Sequence, residues 1–301
     1  MTLTEPGHPP LPPKPLTALT RSQLMASARD LRLKKRFDQH FLIDDLILSK
    51  IVAAVDPKLP AIEVGPGCGF LTQALLASNI QPLQAIELER AMIQYLKTEF
   101  SPQLANGTLA LHEGDVLSYD FQTITPGVFQ LVGNLPYSVA TPLVFKLVGE
   151  LNTAAPPLGE RLQQCVIMVQ KEVGDRMAAQ PGSKAYGPLS LACQRAYTVE
   201  TITLAPPRAF SPPPRVDSIV LKLSLNPPEQ WRYPSNPAKF ARLVKTGFQH
   251  RRKTFLNALQ HGGYTPQERT ELEARLATMS LPATPRAEAI ALDQFIALSA
   301  E

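Results

Sequence analysis

Ala61-Ile62-Glu63-Val64-Gly65-Pro66-Gly67-Cys68-Gly69, running on into Phe70 to Ala77, decides the fold. Four residues of strand character meet three alternating glycines, and these open directly into a helical pattern. Glycine takes positive φ and lets a backbone approach a ligand closely. The helix start behind the loop offers free N–H groups.

A dinucleotide fingerprint would read G-x-G-x-x-G. Here the third glycine comes one residue early, and Pro66 stiffens the loop. This pattern suits a loop that admits S-adenosylmethionine, a sulfonium amino acid, rather than a pyrophosphate. Gly65 and Gly67 are the candidate cofactor contacts. The competing reading is a glycine-rich strand–helix turn with no ligand.

Outward from this loop the chain alternates in the manner of a parallel α/β protein. Strands are expected at Leu83 to Leu88, Thr108 to His112, Phe129 to Val132 and Cys165 to Gln170. Helices are expected at Arg90 to Phe100, Pro142 to Leu151 and Glu172 to Ala179. Tyr197 to Leu204 and Ser218 to Leu225 are β-rich and should end the sheet as an antiparallel, hairpin-like pair. Upstream, Leu46, Ile47, Ile51, Val52 and Val55 predict the apolar face of a helix that Pro57 and Pro60 terminate.

Three carboxylate or amide positions follow strands in the order a cofactor and an amine substrate need. In Ile86-Glu87-Leu88-Glu89, Glu87 lies about 20 residues past the glycine loop, where a carboxylate can accept from both ribose hydroxyls. Glu89 is the alternative, although its place suits the opening of the next helix. Asp115 in Glu113-Gly114-Asp115-Val116 can accept from the adenine amine, or simply make an Asx turn.

Val132-Gly133-Asn134-Leu135-Pro136-Tyr137 is the most specific stretch. The lone pair of an exocyclic amine is delocalised into its ring and is a poor nucleophile. The Asn134 side-chain oxygen and the Leu135 carbonyl can hold the two amine hydrogens and aim the lone pair at a methyl group. Pro136 removes a competing donor and fixes the turn. Tyr137 offers a ring for an unstacked base. A proline turn followed by an aromatic is the bland alternative. In-line transfer from a sulfonium depends on position and electrostatics. The chain accordingly shows no serine, cysteine or histidine constellation, and its five histidines have no ligand spacing, so no metal is expected.

With these motifs in place, the chain resembles the KsgA-type ribosomal RNA adenine dimethyltransferases over about Arg32 to Leu259. The likeness is also carried by Lys35-Arg36-Phe37-Asp38-Gln39-His40-Phe41-Leu42, Gln170-Lys171-Glu172-Val173 and Ser183-Lys184-Ala185-Tyr186-Gly187. Phe210-Ser211-Pro212-Pro213-Pro214-Arg215-Val216-Asp217-Ser218 and His250-Arg251-Arg252-Lys253-Thr254 complete it. The resemblance implies a Rossmann-like α/β methyltransferase domain with a small all-helical C-terminal domain.

It further implies methylation of two adjacent adenines near the 3′ end of small-subunit (16S) rRNA, giving N6,N6-dimethyladenine during small-subunit maturation. His40 and Leu42 should then line the S-adenosylmethionine pocket beside Gly65, Glu87, Asp115 and Asn134, with Phe210 facing the base opposite Tyr137. The family usually reads Gly-Gln-Asn-Phe where this chain has Asp38-Gln39-His40-Phe41. Two rival readings are the related large-subunit adenine methyltransferases of macrolide resistance and a non-catalytic RNA-binding assembly factor.

The remaining features set the context. The 301 residues, 44% hydrophobic and 19% charged, exclude wholesale disorder. No apolar run approaches the roughly 20 residues of a membrane span, so a soluble protein without a membrane partner is expected. Three scattered cysteines exclude a disulfide framework and suit a reducing cytosol, hence a cytoplasmic protein.

Prolines 6, 9, 10, 12, 13 and 15 mark residues 1–22 as a disordered tail. Residues 23–226 are read as the methyltransferase domain and 227–301 as the helical, RNA-binding domain. There Arg242, Lys245, Arg251, Arg252 and Lys253 provide a phosphate footprint that the net charge of +4 hides. Arg251, Arg252 and Lys253 are the candidate RNA ligands, and the basic run from Arg29 to Arg36 is a second basic candidate. The resemblance implies small-subunit rRNA within a pre-assembled subunit as the partner, and a monomer is expected.

Overall fold

A computed structural model describes residues 40–300. The proline-rich tail, the basic run from Arg29 to Arg36 and Asp38 lie outside the described residues.

The chain opens with β1 (Phe41–Leu42) and α1 (Asp45–Ala54), then β2 (Ala61–Val64), α2 (Phe70–Ala77), β3 (Leu83–Glu87), α3 (Arg90–Glu99) and α4 (Ser101–Ala105). It continues through β4 (Leu109–Glu113), α5 (Phe121–Ile124), β5 (Phe129–Asn134), α6 (Tyr137–Val148), β6 (Leu162–Gln170), α7 (Lys171–Ala178) and α8 (Pro188–Gln194). Then come β7 (Tyr197–Ala205), β8 (Phe210–Ser211), β9 (Ser218–Leu225), α9 (Pro237–Gln249), α10 (Phe255–His261), α11 (Pro266–Ala277) and α12 (Leu292–Ser299).

Seven strands form one sheet in the order β4-β3-β2-β5-β6-β9-β7. The first five are parallel, and β9 runs antiparallel to both β6 and β7. The expected antiparallel pair is therefore present, with Tyr197 opposite Leu225 and Ala205 opposite Ser218. Strand order reverses between β2 and β5, and ligands of open α/β sheets bind outside the carboxyl ends at such a point. The glycine loop and the Asn134–Tyr137 motif leave the sheet there.

Successive strand residues point to opposite faces, and the apolar core divides accordingly. Ile62, Val64, Ile86, Leu131, Ile167 and Leu221 pack on one side with α6, α8 and the C-terminal helices. Ala61, Ala85, Val132, Val166, Met168 and Val220 pack on the other with α1, α2 and α3. Among the described residues after Leu225 the regular elements are all helical, and Phe240, Phe255 and Phe295 extend the first of these cores.

Three local expectations are corrected. Leu46 is 74% exposed, because Asp44 caps α1 and the buried stripe is Ile47, Leu48, Ile51, Val52 and Val55. Helix α6 begins at Tyr137, not at Pro142, which lies inside it. A proline at the sixth helical position forfeits the one main-chain bond its N–H would have donated four residues back. The helix expected over Glu172 to Ala179 sits one residue earlier, as α7 from Lys171 to Ala178.

Candidate active site

The β2–α2 loop forms the floor of a cleft, and its glycines divide their work. Gly65 takes φ +66° and Gly67 φ +56°. A Cβ on Gly65 would meet nothing within 4 Å, so its bare backbone faces open space. A Cβ on Gly67 would stand 2.7 Å from the Phe41 ring, so this glycine lets β1 close down on the loop. Both line the cleft together with Glu63, Glu87, Asn134 and Tyr137.

Strand β3 delivers Glu87 to the rim, where it lines both this cleft and an adjoining pocket. Its carboxylate accepts from the main-chain N–H of Gly67 at 3.1 Å and of Leu88 and Glu89 at 2.9 Å each. Burial raises its pKa, and these three bonds counter the rise. Of the two candidate carboxylates, Glu87 is the one at the junction. Glu89 lines the adjoining pocket from the N-cap of α3.

That pocket also holds Gly114, Asp115 and Val116 beyond β4, and Pro136, Ser138 and Val139 at the start of α6. Asp115 is fixed by an Asx turn, its Oδ1 accepting from the Leu117 N–H at 2.9 Å. The Asx turn is present, and it leaves the second oxygen of Asp115 unused by Leu117.

Asn134 ends β5, and its Nδ2 donates to the His40 carbonyl at 2.9 Å. Asn134 lines the cleft, and this bond leaves its Oδ1 unengaged by His40. Leu135 is buried, with its N–H donating to the Met168 carbonyl at 3.0 Å. Pro136 is the N-cap of α6 and Tyr137 its first residue.

The opposite wall is a two-stranded sheet that sequence periodicity did not reveal. Strands β1 and β8 pair antiparallel, Phe41 opposite Ser211 and Leu42 opposite Phe210. This pairing brings His40, Leu42 and Phe210 to the cleft beside Asn134 and Tyr137. His40 Nδ1 lies 2.8 Å from the Pro212 carbonyl, and its ring is tilted against Tyr137 at 5.9 Å between centroids. A carbonyl can only accept, so Nδ1 carries the proton in this bond.

Glu63 belongs to the glycine motif, yet sequence reasoning did not single it out. It is 1% exposed, its Oε2 lines up with no donor, and burial raises its carboxyl to about 8. An acid inside an otherwise apolar strand next to the glycines was the available signal. A buried carboxyl whose Oε2 has no hydrogen-bond partner, open backbone at Gly65 and a carboxylate at the junction of two pockets form a cradle for a ligand with polar groups at both ends. S-adenosylmethionine fits that description.

Arg251, Arg252 and Lys253 lie between α9 and α10, and none of them lines the cleft or the adjoining pocket. Arg251 donates to the Lys184 carbonyl, which ties the Ser183–Gly187 loop to this basic turn. Lys253 Nζ contacts His261 Nε2, and Arg252 is exposed. Arg242, expected to project outward, is instead committed within the fold. It bonds Glu268 at 2.9 Å and lies over the Tyr264 ring at 3.9 Å, fastening α9 to α11 and its approach.

The family model for "Ribosomal RNA adenine dimethylase" matches residues 30–293. Among curated proteins, the chain is 38% identical to "Ribosomal RNA small subunit methyltransferase A" of Thermosynechococcus vestitus over 271 residues, 89% of this chain and 96% of that one. It is 36% identical to the protein of the same name from Janthinobacterium sp., covering 88% and 97%. A dimethyladenosine transferase structure from Plasmodium falciparum superposes with a TM-score of 0.65 at 23% identity, covering 85% of this chain and 94% of that one. The 23S rRNA methyltransferase ErmE gives 0.62 at 19%, covering 86% and 98%. The two structures share the fold and do not separate one RNA target from the other. The family match spans the cleft, both cores and the basic turn alike, and on that extent the chain belongs to the ribosomal RNA adenine dimethylase family.

Proposed function

We propose that this protein transfers methyl groups from S-adenosylmethionine to N6 of two adjacent adenines near the 3′ end of small-subunit (16S) rRNA, giving N6,N6-dimethyladenine during small-subunit maturation. The observation that carries the reading is the Asn134 amide, held by its nitrogen in the wall of a cleft that it lines together with Tyr137 and Phe210. The names of the curated relatives favour the small subunit.

When bound, S-adenosylmethionine supplies a methyl group already activated on a sulfonium. The chain's own residues do the rest. Gly65, Gly67, His40 and Leu42 form the cofactor cradle, Glu87 receives the ribose, and Asp115 receives the adenine amine. Asn134 Oδ1 and the Leu135 carbonyl hold the hydrogens of the target amine and turn its lone pair toward the methyl. Pro136 fixes that turn, and Tyr137 and Phe210 sandwich the extruded base, as base-modifying enzymes require. Glu87 and the protonated Glu63 present oxygen atoms to the ligand on one side of the cleft, and position supplies most of the rate.

Residues 23–226 are assigned as the methyltransferase domain and 227–301 as the helical RNA-binding domain. Arg251, Arg252 and Lys253 contact phosphates there, which sets register without reading sequence. Among the described residues no helix is long and apolar enough to cross a membrane. The reading places a monomer in the cytoplasm, acting on a partly assembled small subunit.

The test is methyl transfer from labelled S-adenosylmethionine to separated, unmodified small and large subunits, with mass spectrometry of the digested RNA. Dimethyladenine in the small subunit alone is expected. Label in the large subunit would move the activity to the resistance branch. RNA binding with no label anywhere would favour the assembly-factor reading.

A further inference from the structure

We propose that Lys146 is a positioning residue for the cofactor's adenine end, acting by locking the Asp115 loop onto helix α6; this rests on the cofactor reading above. Lys146 lies in the last turn of α6, beside the buried residues Val144, Leu147 and Val148. A lysine ammonium has three donors and no acceptor. All three end on main-chain carbonyls of a single loop: Val116 at 3.1 Å, Leu117 at 2.8 Å, and Tyr119. The ammonium also sits 5.0 Å from the centre of the Phe121 ring.

This is not a surface charge that happens to find neighbours. Among the described residues no carboxylate pairs with Lys146. Burial lowers its pKa, and Asp115 and Asp120 counter that from a distance. Desolvating an ammonium is costly unless its hydrogens are matched. Here the match is made entirely by the backbone that follows Asp115.

The same backbone sets the Asp115 carboxylate. Its Oδ1 accepts from the Leu117 N–H at 2.9 Å, and Leu117 is held in turn through its carbonyl by Lys146. Tyr119 closes the other end, its hydroxyl donating to the Glu113 carbonyl at 2.8 Å. Helix α6 thus carries the Asn134–Tyr137 turn at its start and clamps the Asp115 loop near its end. The clamp fixes the distance between the adenine end of the cofactor and the place where the methyl is accepted.

The experiment measures binding of S-adenosylhomocysteine and of its deaminated counterpart, S-inosylhomocysteine, to the full chain and to Lys146→Met and Lys146→Gln. The wild type should prefer the adenine compound, because a site built around an amine rejects the analogue lacking it. Either variant should weaken S-adenosylhomocysteine by about tenfold, the low end for losing a charge-assisted hydrogen bond. The preference over the inosine compound should collapse, while kcat at saturating cofactor stays within about threefold, as expected for loss of uniform binding. In an Asp115→Ala background the Lys146 substitutions should add less than about twofold, because the two residues act as one unit.

Where the Met variant does not fold, the Gln variant carries the comparison. Retained discrimination in a folded variant would overturn the proposal, as would a fall in kcat with unchanged affinity. Failure of the wild type to bind S-adenosylhomocysteine would overturn the cofactor reading beneath it instead.

Discussion

Asn134 Nδ2 donates to the main-chain carbonyl of His40 at 2.9 Å, joining residues 94 apart in the chain. One end of the amide is thereby spent on structure so that the other end is fixed for chemistry. Asn134→Ala should lower kcat by about 10²- to 10³-fold, the scale for removing one preorganised polar group from a reacting centre. RNA affinity should be unchanged. Asn134→Asp should do no better, because it sets a carboxylate oxygen against the His40 carbonyl. Single-turnover transfer and RNA binding, measured side by side, check both.

Glu63 should make the protein less stable as pH rises. Its pKa goes from 4.5 to about 8 on folding, chiefly through burial. Between these values the folded chain keeps a proton that the unfolded chain has lost. Stability therefore falls by roughly 1.4 kcal/mol per pH unit from this group and levels off above the folded pKa. Glu63→Gln removes that penalty. Its melting temperature relative to wild type should climb between pH 5 and pH 8, and a constant difference would count against the buried proton.

Arg195 should contribute strongly to stability. It is fully buried, and its guanidinium donates to the carbonyls of Gly149 and Glu150 at 2.8 Å, Thr153 at 3.2 Å and Leu151 at 3.3 Å. It also lies 4.7 Å from the Tyr233 ring. Arg195→Met strands those carbonyls, and a loss of about 3 kcal/mol is expected. Thermal melting should register it as a drop of roughly 6–12 °C. Arg195→Lys should recover little, because a point charge cannot span the fork.

The basic turn should act through phosphate charge. Replacing Arg251, Arg252 and Lys253 together by alanine should weaken RNA binding alike across sequences. The slope of log affinity against log salt should become shallower by about one for each phosphate that is no longer neutralised. Binding isotherms at several salt concentrations give that slope directly.

What the sequence displays depends on distance along the chain. Ala61–Val64 and Phe70–Ala77 match their expected limits because a strand, a glycine turn and a helix are local patterns. The pairing of Leu42 with Phe210 is not local, and two-residue strands carry no periodicity. Pro142 misled because proline favours the first turn of a helix, while Pro136 had already opened this one. Arg242 read as a phosphate ligand because the partners that claim it, Glu268 and Tyr264, lie on a later segment. Lys146 and Arg195 gave no signal at all. Their partners are main-chain carbonyls, which every residue possesses.

The place of β9 bears on the order in which the molecule can be made. Strands β6 and β7 never touch, and each pairs with β9, which is synthesised after both. On the ribosome β7 has no sheet partner until residue 225 has emerged, and long-range pairing of this kind is slow and exposed to aggregation. The helical segment emerges after β9, and it packs on the face on which the newly completed strands rest. The sheet is thus finished from the inside, by a strand that enters between two already made.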